Sequence, residues 1–117
     1  MSLKTVIYHN PRCSKSRQTL ALLEAKGITP SIVEYLKEGI DTESLESIVD
    51  KLDSDASVLL RKKEEAYAES GLTETSSAEQ IIAAIVNDPK ILERPIVVHG
   101  ERAALGRPPE NILKILN

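Results

Sequence analysis

The chain opens on a β-branched run, a polar loop, a helical run and a second β-branched run. That order restricts the fold more than anything downstream. Thr5-Val6-Ile7-Tyr8 reads as a strand, and Gln18-Thr19-Leu20-Ala21-Leu22-Leu23-Glu24-Ala25-Lys26-Gly27 reads as a helix closed by glycine. Ser31-Ile32-Val33-Glu34-Tyr35-Leu36, reached through Gly27-Ile28-Thr29-Pro30, reads as the second strand of a βαβ unit. Between the first strand and the helix lies His9-Asn10-Pro11-Arg12-Cys13-Ser14-Lys15-Ser16-Arg17, which holds the only cysteine. A thiol at a helix N-terminus, in a positive field, loses its proton readily and becomes a nucleophile. The same N–H groups and cations suit an oxyanion. The leading expectation is a thiol enzyme acting on a small oxyanion.

Composition narrows the alternatives. At 117 residues the chain is expected to form one domain, 1–117. Its 41% hydrophobic and 28% charged content are ordinary for a globular protein, so no class of fibrous or disordered chain is indicated. No apolar run is long enough to span a bilayer, and Met1-Ser2-Leu3-Lys4 leads into a strand without a signal-peptide core. A cytoplasmic location without a membrane partner is expected. One cysteine excludes an internal disulfide, a Cys-x-x-Cys pair and a cysteine-built zinc site, and with no carboxylate pair or His/Glu cluster in the sequence no metal is expected. Any redox cycle at Cys13 must borrow a second thiol. A net charge of −3, with no Trp or Phe, argues against nucleic acid as a partner. Lys4, Arg12, Lys15 and Arg17 nevertheless make the cysteine region locally basic, which fits a small anion.

Further along, Leu45, Ile48, Val49 and Leu52 mark an amphipathic helix capped by Asp41 or Thr42. Val58 to Lys63 and Glu64 to Ser70 read as shorter helical pieces ending at Gly71. Ser76 with Glu79 and Ser77 with Gln80 offer overlapping capping boxes for a helix bearing Ile81, Ile82, Ile85 and Val86. Pro95-Ile96-Val97-Val98 and Arg102-Ala103-Ala104-Leu105-Gly106 read as a hairpin around His99-Gly100-Glu101. Pro108-Pro109 opens a last helix bearing Ile112, Ile115 and Leu116. The result is an α/β protein with a mixed β-sheet flanked by helices, carrying a helical insertion, in the order of a thioredoxin-like fold.

A lone cysteine is most often a small buried hydrophobe. Cys13, however, sits among Arg12, Ser14 and Lys15, which do not belong in a core. Ser14 or Ser16 is expected to cap the helix, and His9 to act behind the thiol rather than as a general base. Arg94 precedes Pro95, and a cis bond there would hold the backbone beside the cysteine loop. Arg107 precedes Pro108-Pro109. With Arg61, these arginines have the fork geometry that matches a tetrahedral oxyanion.

His9-Asn10-Pro-x-Cys13-x-x-Ser16-Arg17, Leu59-Leu60-Arg61-Lys62, Glu93-Arg94-Pro95-Ile96-Val97-Val98 and Gly106-Arg107-Pro108 closely resemble the glutaredoxin-coupled arsenate reductase family. The four segments span nearly the whole chain in the same order. The resemblance implies a thioredoxin-like fold, Cys13 as nucleophile, and Arg61, Arg94 and Arg107 as oxyanion ligands, with His9, Asn10, Ser16, Arg17 and Pro95 in support. It implies a thiol–arsenate adduct resolved by glutathione as co-substrate and by glutaredoxin as partner, with no bound cofactor. The chain looks like a short branch, ending at Asn117 where the best-characterised members continue, and it has bulkier residues around the thiol. A phosphate loop of the Cys-x5-Arg type is absent, since Thr19 occupies the arginine position. Two other readings stay open: a thioredoxin-like redox or transcription adaptor without reductase activity, and a monothiol oxidoreductase handling glutathione adducts.

Overall fold

The computed structural model describes residues 4–52 and 54–116, so residues 1–3 of the stretch read as leading into the first strand lie outside it. The chain divides into two compact units, Met1–Glu38 with Arg94–Asn117, and Gly39–Glu93.

The first unit contains β1 (Thr5–Tyr8), α1 (Ser14–Ala25), β2 (Ser31–Val33), α2 (Tyr35–Glu38), β3 (Ile96–His99), β4 (Arg102–Leu105) and a 3₁₀ helix, Pro109–Ile115. The strands form one sheet in the order β2-β1-β3-β4. β1 pairs parallel with β2, Ile7 opposite Ile32, and antiparallel with β3, Ile7 opposite Val97. β3 and β4 form the expected hairpin, and Gly100 supplies the left-handed residue of its turn at φ 61°. A mixed sheet in this order, with α1 as the crossover, is the thioredoxin-like fold. Ile7, Leu23, Val97, Ala104, Ile112 and Ile115 make its core.

Two elements depart from expectation for identifiable reasons. β2 stops at Val33 rather than Leu36, because Glu34 begins a helical turn. The Glu34 N–H donates to the Glu38 carboxylate at 2.9 Å, and its carbonyl accepts from the Lys37 and Glu38 N–H groups. Tyr35 is thereby buried. The last helix is 3₁₀ rather than α. Its buried residues Pro109, Ile112 and Ile115 recur every third position, which places all of them on one face of a three-residue turn.

The second unit contains α3 (Thr42–Leu52), a 3₁₀ turn at Ala56–Leu59, α4 (Glu65–Glu69), α5 (Ala78–Asn87) and a 3₁₀ turn at Pro89–Ile91. Asp41, not Thr42, caps α3: its Oδ1 accepts from the Ser44 N–H at 2.8 Å, which holds its carboxyl below the usual range. Of the two capping boxes only Ser77 with Gln80 forms, because Ser76 Oγ instead accepts from the Thr73 N–H at 2.8 Å. The helix expected from Val58 to Lys63 ends at Leu59. Beyond it Leu60 bridges to Leu92, and the flanking Arg61 N–H and Leu59 carbonyl bond to Ile91 and Glu93. α5 packs against α3 and the Ala56–Leu59 turn, burying Ile81, Ile82 and Ile85.

Candidate functional site

The loop after β1 turns at Asn10, whose carbonyl accepts the Cys13 N–H at 3.0 Å and whose Oδ1 accepts the Arg12 N–H at 3.1 Å. This turn delivers Cys13 to the N-cap position of α1, where its carbonyl accepts the Arg17 N–H at 3.0 Å. A cysteine at this position makes no side-chain cap bond. The orphan N–H groups of the first turn therefore remain to serve its sulfur. Those of Ser16 and Lys15 favour the ionised sulfur and help to lower its pKa.

Neither Ser14 nor Ser16 is the helix cap that the sequence suggested, since Cys13 holds that position, and Ser16 is fully buried. Its Oγ shares a 2.6 Å hydrogen bond with His9 Nδ1 and accepts the Asn10 N–H at 3.0 Å. The His9 N–H in turn donates to the Val33 carbonyl, fastening the loop to β2. Burial lowers the His9 pKa, Glu34 opposes that shift and Arg17 adds to it; the net direction is down, favouring a neutral imidazole. Arg17 is turned to a local task, donating from Nη1 to the Pro11 carbonyl at 2.9 Å. Lys4 lies at the opposite end of β1 from the loop, so it is not part of the positive field that the sequence assigned to the cysteine.

From the other side of the sheet unit comes the segment before β3. The Arg94–Pro95 bond is cis, and so is Arg107–Pro108, which the sequence reading did not anticipate. Arg94 is only 8% exposed, and its guanidinium acts on Cys13, lowering the thiol pKa by hydrogen bonding and by charge. Arg107 is exposed, and its Nη1 donates to the Arg94 carbonyl at 3.0 Å. Burial pushes the Cys13 thiol up. The Ser16 N–H, the hydrogen bond and charge of Arg94, and the Lys15 N–H together outweigh it, and the thiol titrates below its ordinary value.

Cys13, His9, Asn10, Ser16, Arg17, Arg94, Pro95 and Arg107 are thus connected within one unit. Arg61 belongs to the other, where its Nη1 pairs with the Glu64 carboxylate at 2.9 Å. The sequence reading gave no site role to Thr19 or Gly106. The first is a buried hydroxyl in α1, and the second is a buried glycine directly after β4. Gly106 stands in a quoted motif, but its neighbour Arg107 carries the charge that drew attention. Among the described residues, no group of three or more His, Cys, Asp and Glu side chains could hold a metal ion, and no helix is long and apolar enough to cross a membrane.

A single cysteine at the head of the first helix of a mixed, thioredoxin-like sheet defines a thioredoxin-fold thiol protein without a dithiol pair. Comparison with known proteins narrows this class. The ArsC family model matches residues 8–115, and the chain belongs to the ArsC family. It is 45% identical to a Haemophilus influenzae protein named arsenate reductase, over 97% of this chain and 100% of that one. It is 46% identical to the uncharacterized protein YfgD of Escherichia coli K12, over 99% of each. A solved structure described as arsenate reductase from Vibrio cholerae superimposes with a TM-score of 0.92 at 44% identity, covering 99% of this chain and 100% of that one.

Proposed function

We propose that this protein reduces arsenate with electrons from external thiols. The observation that carries the reading is Cys13 at the N-cap of α1, its thiol pKa lowered by the helix N-terminal N–H groups and by the nearly buried Arg94 guanidinium. Arsenate is a tetrahedral oxyanion, and a cationic fork beside a nucleophile is what it requires. The names of the relatives support the same assignment.

In the proposed cycle the Cys13 thiolate attacks arsenic(V), forming an S–As bond as water leaves. Glutathione displaces a second oxygen as water and leaves arsenic bound to both sulfurs. A glutaredoxin thiolate then attacks the glutathione sulfur. The S–As electron pair passes to arsenic, which becomes arsenic(III), while glutaredoxin and glutathione are joined as a mixed disulfide. Hydrolysis of the remaining Cys13 S–As bond releases arsenite. A chain with one cysteine needs such outside thiols to complete a two-electron reduction. Arg94 and Arg107 are the oxyanion ligands in this scheme, and Arg61 joins them on the family resemblance. The cycle runs in the cytoplasm, where thiols are kept reduced.

The test is arsenate-dependent NADPH oxidation with glutathione, glutaredoxin and glutathione reductase supplied. Turnover needing arsenate, glutaredoxin and Cys13 together is the expected result. Turnover of a glutathionylated peptide with no oxyanion present, and none with arsenate, would replace this reading with thiol transfer. In the same assay Arg61→Ala is expected to raise the KM for arsenate while leaving Cys13 alkylation unchanged.

A further inference from the structure

Gly106 has an ordinary backbone conformation, so it is not there for a left-handed turn. Space explains it. A Cβ at this position would lie 2.4 Å from Thr19 Oγ1, 2.7 Å from Pro95 Cγ and 3.0 Å from Thr19 Cγ2. Real Cβ atoms do not approach so closely, and both neighbours are held in place. Thr19 is fully buried in α1, its hydroxyl donating to the Lys15 carbonyl at 2.8 Å, one turn nearer the thiol. Pro95 is held because its carbonyl accepts the Gly106 N–H at 2.9 Å. The next residue, Arg107, grips the Arg94 carbonyl at 3.0 Å.

The contacts therefore close a ring. Cys13 heads α1; α1 meets Gly106 through Thr19; Gly106 and Arg107 hold the Arg94–Pro95 backbone; and the Arg94 side chain returns to Cys13. Within that ring α1 meets the Gly106–Arg107 segment at Thr19, whose hydroxyl lies 3.5 Å from the Gly106 carbonyl, an approach that the missing Cβ permits. We infer that Gly106 and Thr19 are positioning residues, whose close contact sets the spacing between the Cys13 sulfur and the Arg94 guanidinium. Neither touches the reacting atoms. The inference concerns the thiol alone and holds whatever oxyanion Cys13 attacks.

The experiment is the pH dependence of Cys13 alkylation by iodoacetamide, with thermal unfolding recorded on each variant. Gly106→Ala drives a methyl between α1 and Pro95 and is expected to reduce the thiolate fraction at pH 6 about three- to tenfold, equivalent to a thiol pKa raised by about half a unit to one unit. Thr19→Ala opens the same contact instead of crowding it, so it is informative even where Gly106→Ala does not fold. It is expected to raise the thiol pKa by a smaller amount. In the double variant the alanine at 19 makes room for the methyl at 106, and its shift is expected to fall below the sum of the two. Leu23→Ala, a cavity elsewhere in α1, controls for simple destabilisation; it is expected to lower the melting temperature and leave the thiol pKa alone. Folded single variants with the parental thiol pKa would overturn the inference, as would additive shifts in the double. Because alkylation needs no arsenate, its outcome is independent of whether arsenate is turned over.

Discussion

The two units bury different kinds of side chain. Among the described residues, Thr5, His9, Ser16, Thr19 and Arg94 are the buried polar and charged ones, and all belong to the sheet unit. The helical unit buries only apolar side chains, such as Leu45, Ile48, Ile81, Ile85 and Leu92. A buried polar group is costly unless it is bonded, so a cluster of them is maintained for something other than stability. α1 shows the contrast within one helix. Its buried positions are Ser16 and Thr19 towards the thiol end and Leu23 towards the other. Apart from Thr5, which bonds His99 Nδ1 at the far end of β1, the buried polar groups of the sheet unit belong to the cysteine loop, the first turns of α1 and the Arg94 segment, and the helical unit is packed as an ordinary apolar core.

The largest test of this division is Cys13→Ser. Arsenate turnover is expected to fall by about three orders of magnitude or more, because the covalent route is lost. Turnover that survives would overthrow the thiolate mechanism. The same variant reports on linkage. The folded thiol lies below its ordinary value, so the unfolded chain binds more protons between the folded pKa and about 8.5, and folding gains stability as pH rises through that window. The stability difference between parent and variant should grow across it and be lost as pH falls through the folded pKa. A difference that stays flat would deny the folded thiol its shift.

Ile85→Ala asks the converse question of the helical unit. Ile85 is fully buried in α5, and its truncation is expected to cost about 2–5 kcal/mol of stability by denaturant titration. The pH profile of Cys13 alkylation should not move, and a moved profile would show that the apolar unit also tunes the thiol.

Arg94→Ala returns to the sheet unit with a smaller effect. Loss of a charge-assisted bond from a nearly buried side chain is worth about 1.5–3 kcal/mol. It should lower kcat/KM for arsenate some ten- to hundredfold and raise the thiol pKa. Unchanged kinetics would reduce the arginine to a packing residue.

Much of this was legible in advance because it rests on local signals. β-branched runs, the glycine that ends α1 and the Arg94–Pro95 pair each report on their own neighbourhood, and the loop around Cys13 advertises its charge. The misreadings share a different origin. Glu34 and Tyr35 alternate like strand residues, but a carboxylate four positions on captures the Glu34 N–H. Leu60 continues a helical pattern, yet Leu92 takes its backbone. Ser16 resembles a cap, although its partner is a histidine seven residues earlier. Thr19 and Gly106 meet across 87 positions, and no local pattern encodes such a contact.

Ser77→Ala gives the smallest expected effect and the sharpest contrast with the cysteine loop. Both Ser77 and Cys13 occupy an N-cap with extended backbone. Ser77 Oγ accepts the Gln80 N–H at 3.2 Å, and Gln80 Oε1 accepts the Ser77 N–H at 2.8 Å, so this cap satisfies its own helix. Its removal should cost about 1 kcal/mol, read as a shifted denaturant midpoint with an unchanged slope. Cys13 makes no side-chain cap bond, and the first-turn N–H groups of Lys15 and Ser16 instead favour the ionised sulfur. Cys13→Ser should therefore recover part of the stability that Ser77→Ala loses, since serine is the better cap. A Cys13→Ser protein less stable than its parent at a pH below the folded thiol pKa would mean that the thiol, even when protonated, stabilises the helix better than a hydroxyl does.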